Sequence, residues 1–404
     1  VVSPRILRVI KQVHVILAGG GVGGLTAALA LADRAIAVTV LEQAPVLAEV
    51  GAGLQLSPNA TRLLIGLGLE ESLKRAGFAP EAARVCDHAT GALLLHTPLG
   101  ALGEARWGAP YLQIHRADLH GLLLDAAKQR PQIAIRLNAG LVAVSQSDHG
   151  VMASTAGGET VAGDVVIGCD GIHSTVRTIL WGAQKPRFTR QVAWRGLVPQ
   201  DRLPTGLITP FAQVWTGGGR HFVHYPVRGG ALVNFIGVVE QARWADDSWT
   251  AQGDPSALRA AFAGWPAPVE GLIAQTEAPW IYAIHDRPPL ARWSKGRISL
   301  LGDAAHPAPP FLAQGAGMAI EDAEALARFL RTNANAEAAL LAYERERRGR
   351  TARVQAWSRR NARLFHLPSL AARAVFGAAS ALDQAAGAEP AARLDWIYGY
   401  QPPI

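Results

Sequence analysis

The feature that most constrains this chain is the stretch from Val13 to Ala32, where an otherwise apolar run is broken by Gly19, Gly20, Gly21, Gly23 and Gly24. A continuous helix would lose roughly 1 kcal/mol at each glycine relative to alanine, so a signal-like or membrane-spanning helix does not fit, even though Arg5, Arg8 and Lys11 precede the run. A buried strand over Val13–Ala18, a glycine turn, a helix over Leu25–Ala32 and a second strand over Ala37–Leu41 explain it better. This βαβ order puts Gly19-x-Gly21-x-x-Gly24 between a strand and a helix, where a dinucleotide fingerprint belongs. Gly19 would allow the tight turn, Gly21 would let a pyrophosphate approach the backbone, and Gly24 would permit close helix–strand packing. Glu42, at the end of the second strand, is placed to accept hydrogen bonds from both ribose hydroxyls.

Two further apolar runs, Asp164–Gly168 and Arg297–Leu301, read as strands of the same parallel sheet, and each leads into an Asp-Gly or Gly-Asp pair. Asp170, in Cys169-Asp170-Gly171, and Asp303, in Gly302-Asp303-Ala304, thus sit at strand ends, where open α/β sheets bind ligands. Gly315, Ala316 and Gly317 precede a helical pattern that becomes regular from Ala319, and their amides suit a negatively charged group at a helix N-terminus.

The 404 residues exceed the usual single-domain size. The expected fold class is α/β: a Rossmann-like nucleotide domain with a parallel sheet, built discontinuously from 1–75, 107–182 and 285–330. An inserted β-sheet substrate domain (76–106 with 183–284) and a C-terminal helical region (331–404) complete it. A hairpin is expected at Gly229-Gly230. With 49% hydrophobic and 18% charged residues, the composition is that of a packed enzyme. Cys86 and Cys169 are too few for a disulfide framework and show no zinc spacing, so a reducing cytoplasm and no metal are expected. The net charge of +7 does not imply nucleic acid, because the main arginine cluster, Arg345 to Arg363, is interleaved with glutamates and reads as a solvated helix face. Ser369 to Ala388 is apolar, but Arg373 and Asp383 inside it argue against a membrane span.

The segments VILAGGGVGGLTAALAL with LEQAP, GAGLQLSPNA, IHRADLHGLL, VVIGCDGIHSTVR, HFVHYPVRGGALVNF, LLGDAAHPAPPFLAQGAGMAIEDAEALA and LDWIYGY together resemble the single-component flavoprotein aromatic hydroxylases, over nearly the whole chain. That family includes salicylate hydroxylase, 3-hydroxybenzoate 6-hydroxylase and 6-hydroxynicotinate 3-monooxygenase. The resemblance implies bound FAD, with Glu42 on the adenosine ribose, Arg116 along the cofactor and Asp303 at its ribityl and pyrophosphate region. The 51-to-55 loop, ending at Gln55, would border the flavin ring, and Asp170 would serve both FAD and nicotinamide. It also implies that NADH or NADPH reduces the flavin, that O2 adds as a C4a-hydroperoxide, and that a small aromatic acid is hydroxylated. With no second GxGxxG, the nicotinamide would bind transiently. A homodimer is the expected assembly.

In HFVHYPV, read as a strand, His221, Val223 and Tyr225 share one face and Phe222 and His224 the other. His221 and Tyr225 resemble the substrate-contacting pair of the hydroxybenzoate and hydroxynicotinate enzymes, with His221 as a base of near-neutral pKa and Tyr225 as an anchor. Pro310 stands where 3-hydroxybenzoate 6-hydroxylase has a glutamine, and Phe311 where the hydroxynicotinate enzyme has a histidine. This more apolar roof favours a salicylate-like or other simple aromatic acid. His306, inside the FAD motif, reads as structural. The alternatives are a hydroxylase of another ring system (hydroxynicotinate, quinolone or polyketide type) and a flavin-binding paralogue without turnover.

Overall fold

A computed structural model describes residues 13–47, 52–244, 251–385 and 389–403. Arg5, Arg8, Lys11 and Gly51 lie outside the described residues. Among the described residues, a five-stranded parallel sheet runs Ile298–Leu300, Val165–Gly168, His14–Ala18, Ala37–Leu41, Ile133–Arg136. Its strands are short apolar runs because helices cover it, and the carboxyl ends of its three central strands converge.

The first helix spans Val22–Ala32, three residues earlier than the glycines suggested. Gly23 and Gly24 belong to its first turn, and packing overrides their poor propensity. A Cβ on Gly24 would lie 2.0 Å from the Gly19 carbonyl oxygen, and one on Gly23 would lie 2.9 Å from the Leu301 side chain. The helix is apolar nearly all round because it is buried, with Leu25, Leu29 and Leu31 fully enclosed. Truncating one of these leucines to alanine costs about 2–5 kcal/mol.

A seven-stranded mixed sheet is built in the order Trp280–Asp286, Arg187–Pro199, Leu232–Glu240, Arg220–Val227, Phe211–Gly217, Ala82–Asp87, Leu93–Pro98. A short 3-10 turn, Arg228–Gly230, closes the hairpin between two of its central strands. Its outer face is sealed by Phe222 stacked on Phe235 at 5.2 Å and by Phe262, under the helices Pro255–Ala261 and Ala267–Ala274. Its inner face meets Phe311 and Phe365.

Helix Gly315–Thr332 begins four residues before the regular pattern, and helix Ala336–Phe365 packs on it. The arginine cluster on the latter is not simply a solvated face. Arg347 is fully buried between Glu321 and Asp322, at 2.6 and 2.7 Å, and Arg350 also pairs with Glu321. The final long helix is Ser369–Ala385, and no helix among the described residues is long and apolar enough to cross a membrane.

Candidate active site

Gly19 has φ of +109°, and its amide donates to the Leu41 carbonyl at 2.8 Å, stapling the glycine turn to the second strand. A Cβ there would fall 2.6 Å from the Cys169 carbonyl, so only glycine is accommodated. Around Gly21, by contrast, no described atom lies within 4 Å of where a Cβ would sit, and it precedes the buried helix, leaving its backbone approachable. Glu42 orders this turn: Oε2 accepts from the Gly20 amide at 2.7 Å and Oε1 from the Ala44 amide at 2.8 Å. Each oxygen keeps a second acceptor position for a ribose hydroxyl.

Asp170 caps the helix Thr175–Trp181, with Oδ2 accepting from the Thr175 and Val176 amides at 2.7 and 3.1 Å. Its buried Oδ1 has no hydrogen-bond partner among the described residues, so one oxygen is structural and one is available to a ligand. Burial raises the carboxyl above its usual range, opposed by the hydrogen bonds it accepts.

Asp303 lies on the 3-10 turn Gly302–Ala304. Several buried ionic groups hold this turn. Asp322 accepts from the Gly302 amide at 3.0 Å and contacts His306 Nε2 at 2.5 Å, and Arg177 donates to the carbonyls of Ala304 and Ala305. His306 thus belongs to the scaffold. The Asp303 side chain is reached by water, yet surrounding protein desolvates it enough to raise its carboxyl, with His306 and Arg116 opposing.

Gly315, Ala316 and Gly317 form the first turn of their helix rather than a loop before it. The turn is anchored by Gln314, which donates to Ser57 Oγ at 2.8 Å and accepts from Asn59 at 3.1 Å. Residues Gly53–Leu56 are a strand rather than a loop, paired with Leu112–His115, and Gln55 Oε1 accepts from the Tyr111 hydroxyl at 2.6 Å. Arg116 opens the following helix, its amide bonded to the Ala52 carbonyl at 2.8 Å.

His221 and Tyr225 share the inner face of strand Arg220–Val227, but four residues along a strand separate them by roughly 13 Å, so they bracket a space rather than touch. His221 is buried, edge-on to Phe311 at 5.3 Å, and its Nδ1 lies 2.8 Å from Nε2 of His366. Burial, and secondarily the neighbouring His366, hold its pKa well below the ordinary histidine value, not near neutrality. It is therefore a neutral imidazole across the physiological range. Burial, together with Tyr282, raises the Tyr225 phenol, keeping it protonated as a donor. Tyr225 packs against Gly53, where a Cβ would lie 2.6 Å from its ring, and the Gly53 amide donates to Asn234 at 2.7 Å. Strand Gly53–Leu56 is thereby fixed to the substrate sheet.

Sequence reasoning missed Arg195, which register places on the same inner face through Ile236 and Val223. It is buried beside the rings of Trp280 and Tyr282, at 5.5 and 5.6 Å. It also missed His366 and Glu240, which no motif marks.

Among the described residues the donors fit FAD: open backbone at Gly21, a carboxylate at Glu42, an orphaned oxygen on Asp170, Asp303 exposed on its 3-10 turn and free space beside Gly315. A family model described as FAD binding domain matches residues 12–358. A 3-amino-4-hydroxybenzoate 2-monooxygenase of Streptomyces platensis is 40% identical over 387 residues, 95% of each chain. A 3-hydroxybenzoate 6-hydroxylase of Polaromonas naphthalenivorans is 36% identical over 353 residues, 87% of this chain and 88% of that one. Among solved structures, Klebsiella pneumoniae HpxO complexed with FAD and uric acid superimposes with a TM-score of 0.80 at 28% identity, covering 90% of this chain and 92% of that one.

Proposed function

From the premise that the chain belongs to the FAD-binding-domain family and is an FAD-dependent aromatic monooxygenase, we propose that it hydroxylates a small aromatic acid carrying a ring hydroxyl. The observation that carries this reading is His221, an imidazole buried on the inner face of the substrate sheet and hydrogen-bonded through Nδ1 to His366. Relatives named for aminohydroxybenzoate and hydroxybenzoate substrates support it.

When bound, FAD supplies electron transfer from a nicotinamide and the activation of O2. The protein's own groups do the rest. His221 accepts the ring-hydroxyl proton, which raises electron density at the carbon to be hydroxylated. Tyr225 donates a hydrogen bond that orients the ring, and Arg195 supplies the positive charge that a ring carboxylate requires in a desolvated space. Phe311 and Phe365 exclude water from His221. Glu42, Asp170, Asp303, Arg116, Gln55 and the amides at Gly315, Ala316 and Gly317 hold the cofactor.

The test is NADH and NADPH oxidation by the purified yellow protein, with 3-amino-4-hydroxybenzoate, 3-hydroxybenzoate, salicylate and 6-hydroxynicotinate, and with 3-aminobenzoate, which lacks the ring hydroxyl, in separate assays. Stimulation by a phenolic acid, with a product heavier by one oxygen, supports the reading. Stimulation only by a ring without an ionisable hydroxyl rejects the role of His221.

A further inference from the structure

Beyond His221 the structure continues in a line of hydrogen-bonding groups. His221 Nδ1 lies 2.8 Å from His366 Nε2, and His366 Nδ1 lies 2.9 Å from Glu240 Oε1. Exposure rises along the line: His221 is 2% exposed, His366 7%, and the Glu240 side chain 59%. Phe311 and Phe365 flank His221, so a proton taken up there has no direct route to water past these rings. Resting on the reading of His221 as the base, we propose that His221, His366 and Glu240 form a proton wire from the substrate pocket to solvent, in which His366 and Glu240 are positioning residues.

The direction of the wire follows from hydrogen-bond chemistry. A carboxylate only accepts, so Glu240 takes the proton of His366 Nδ1. His366 Nε2 is then a lone pair, and it accepts from His221 Nδ1. His221 Nε2 is left unprotonated. Glu240 at the surface thereby sets the tautomer of a buried base two hydrogen bonds away. In turnover the substrate O–H bond breaks and an N–H bond forms at His221 Nε2. The Nδ1 proton of His221 passes to His366 Nε2, and the Nδ1 proton of His366 passes to Glu240 and then to water.

The ionisable groups facing His366 across its packing are Glu240, at the end of strand Leu232–Glu240, and His221. The Gln191 amide, neutral and able to present either end, lies 3.3 Å from the same Nδ1. The His366 backbone is separately tied, its carbonyl accepting from the Gly219 amide at 3.0 Å. The loop therefore keeps an anchor when the imidazole is replaced, so the side chain can be tested apart from the fold.

The experiment uses the FAD-loaded enzyme with 4-hydroxy-3-nitrobenzoate, whose phenolate absorbs visibly, bound at the site. After a stopped-flow pH jump, the rate of phenol ionisation is read in the wild type, His366→Asn, Glu240→Gln and His221→Asn, and in His366→Gly with and without added imidazole. The wire predicts ionisation slowed at least about tenfold in the His366 and Glu240 variants, with probe affinity and the flavin spectrum unchanged, and recovery of His366→Gly by imidazole. Wild-type rates in those two variants, with His221→Asn slow, overturn the wire and leave the base intact. A wild-type rate in His221→Asn overturns both. Lost probe affinity that imidazole does not repair identifies a structural cross-link and also overturns the wire.

Discussion

Replacing Arg347 by methionine isolates the buried ion cluster on which the Asp303 turn depends. Arg347 is fully buried and pairs with two fully buried carboxylates, Glu321 and Asp322, at 2.6 and 2.7 Å. Desolvation raises the Asp322 carboxyl, but His306, Arg347 and their hydrogen bonds more than offset it, holding it down at about 2. Against an unfolded value near 3.9, that shift is worth roughly 2–3 kcal/mol at neutral pH. Glu321 is also held below its usual range; removing the guanidinium leaves it only Arg350 and leaves Asp322 only His306 as ion-pair partners among the described residues, and breaking this buried cluster should cost about 3–5 kcal/mol. Asp322 contributes its stability above the unfolded pKa and loses it as pH falls through the folded one, so the deficit of the variant should shrink between about pH 4 and pH 2. Urea unfolding of the apoprotein at neutral and acidic pH measures this. A loss under about 1 kcal/mol at pH 7, or one that does not change with acid, would mean that this cluster does not stabilise the fold as a buried ion pair.

Gly24→Ala should abolish retention of FAD, seen as colourless purified protein, because its Cβ collides with the Gly19 carbonyl. Asp303→Asn should stabilise the apoprotein slightly in thermal unfolding, since the fold disfavours the carboxylate, while weakening FAD binding in fluorescence titration. Arg195→Met should raise KM for a carboxylate-bearing substrate at least about tenfold with a smaller change in kcat, and an unchanged KM would remove Arg195 from substrate binding. His221→Asn should lower kcat by about a hundredfold or more while FAD stays bound, as loss of a general base does.

The nucleotide half of the fold was legible because its signals are local. A glycine turn flanked by apolar runs specifies strand, turn and helix within a short stretch, and Glu42 closes it. The helix nevertheless starts at Val22, because Gly23 and Gly24 allow close packing that propensity does not anticipate. Burial of Arg347 was illegible, since its partners lie on another helix more than twenty residues away. His221 was placed on the right face by strand alternation, but its depressed pKa depends on Phe311, Phe365 and His366, which tertiary packing brings to it. Arg195 required the register of three strands before it could be put beside Val223.

Product analysis after turnover under 18O2 with a nicotinamide and a phenolic aromatic acid tests the central claim most directly. A ring-hydroxylated product carrying one 18O atom is expected, with formation strongly reduced in His221→Asn. A product whose new oxygen comes from water, or nicotinamide oxidation that yields only peroxide with every phenolic acid, would contradict it.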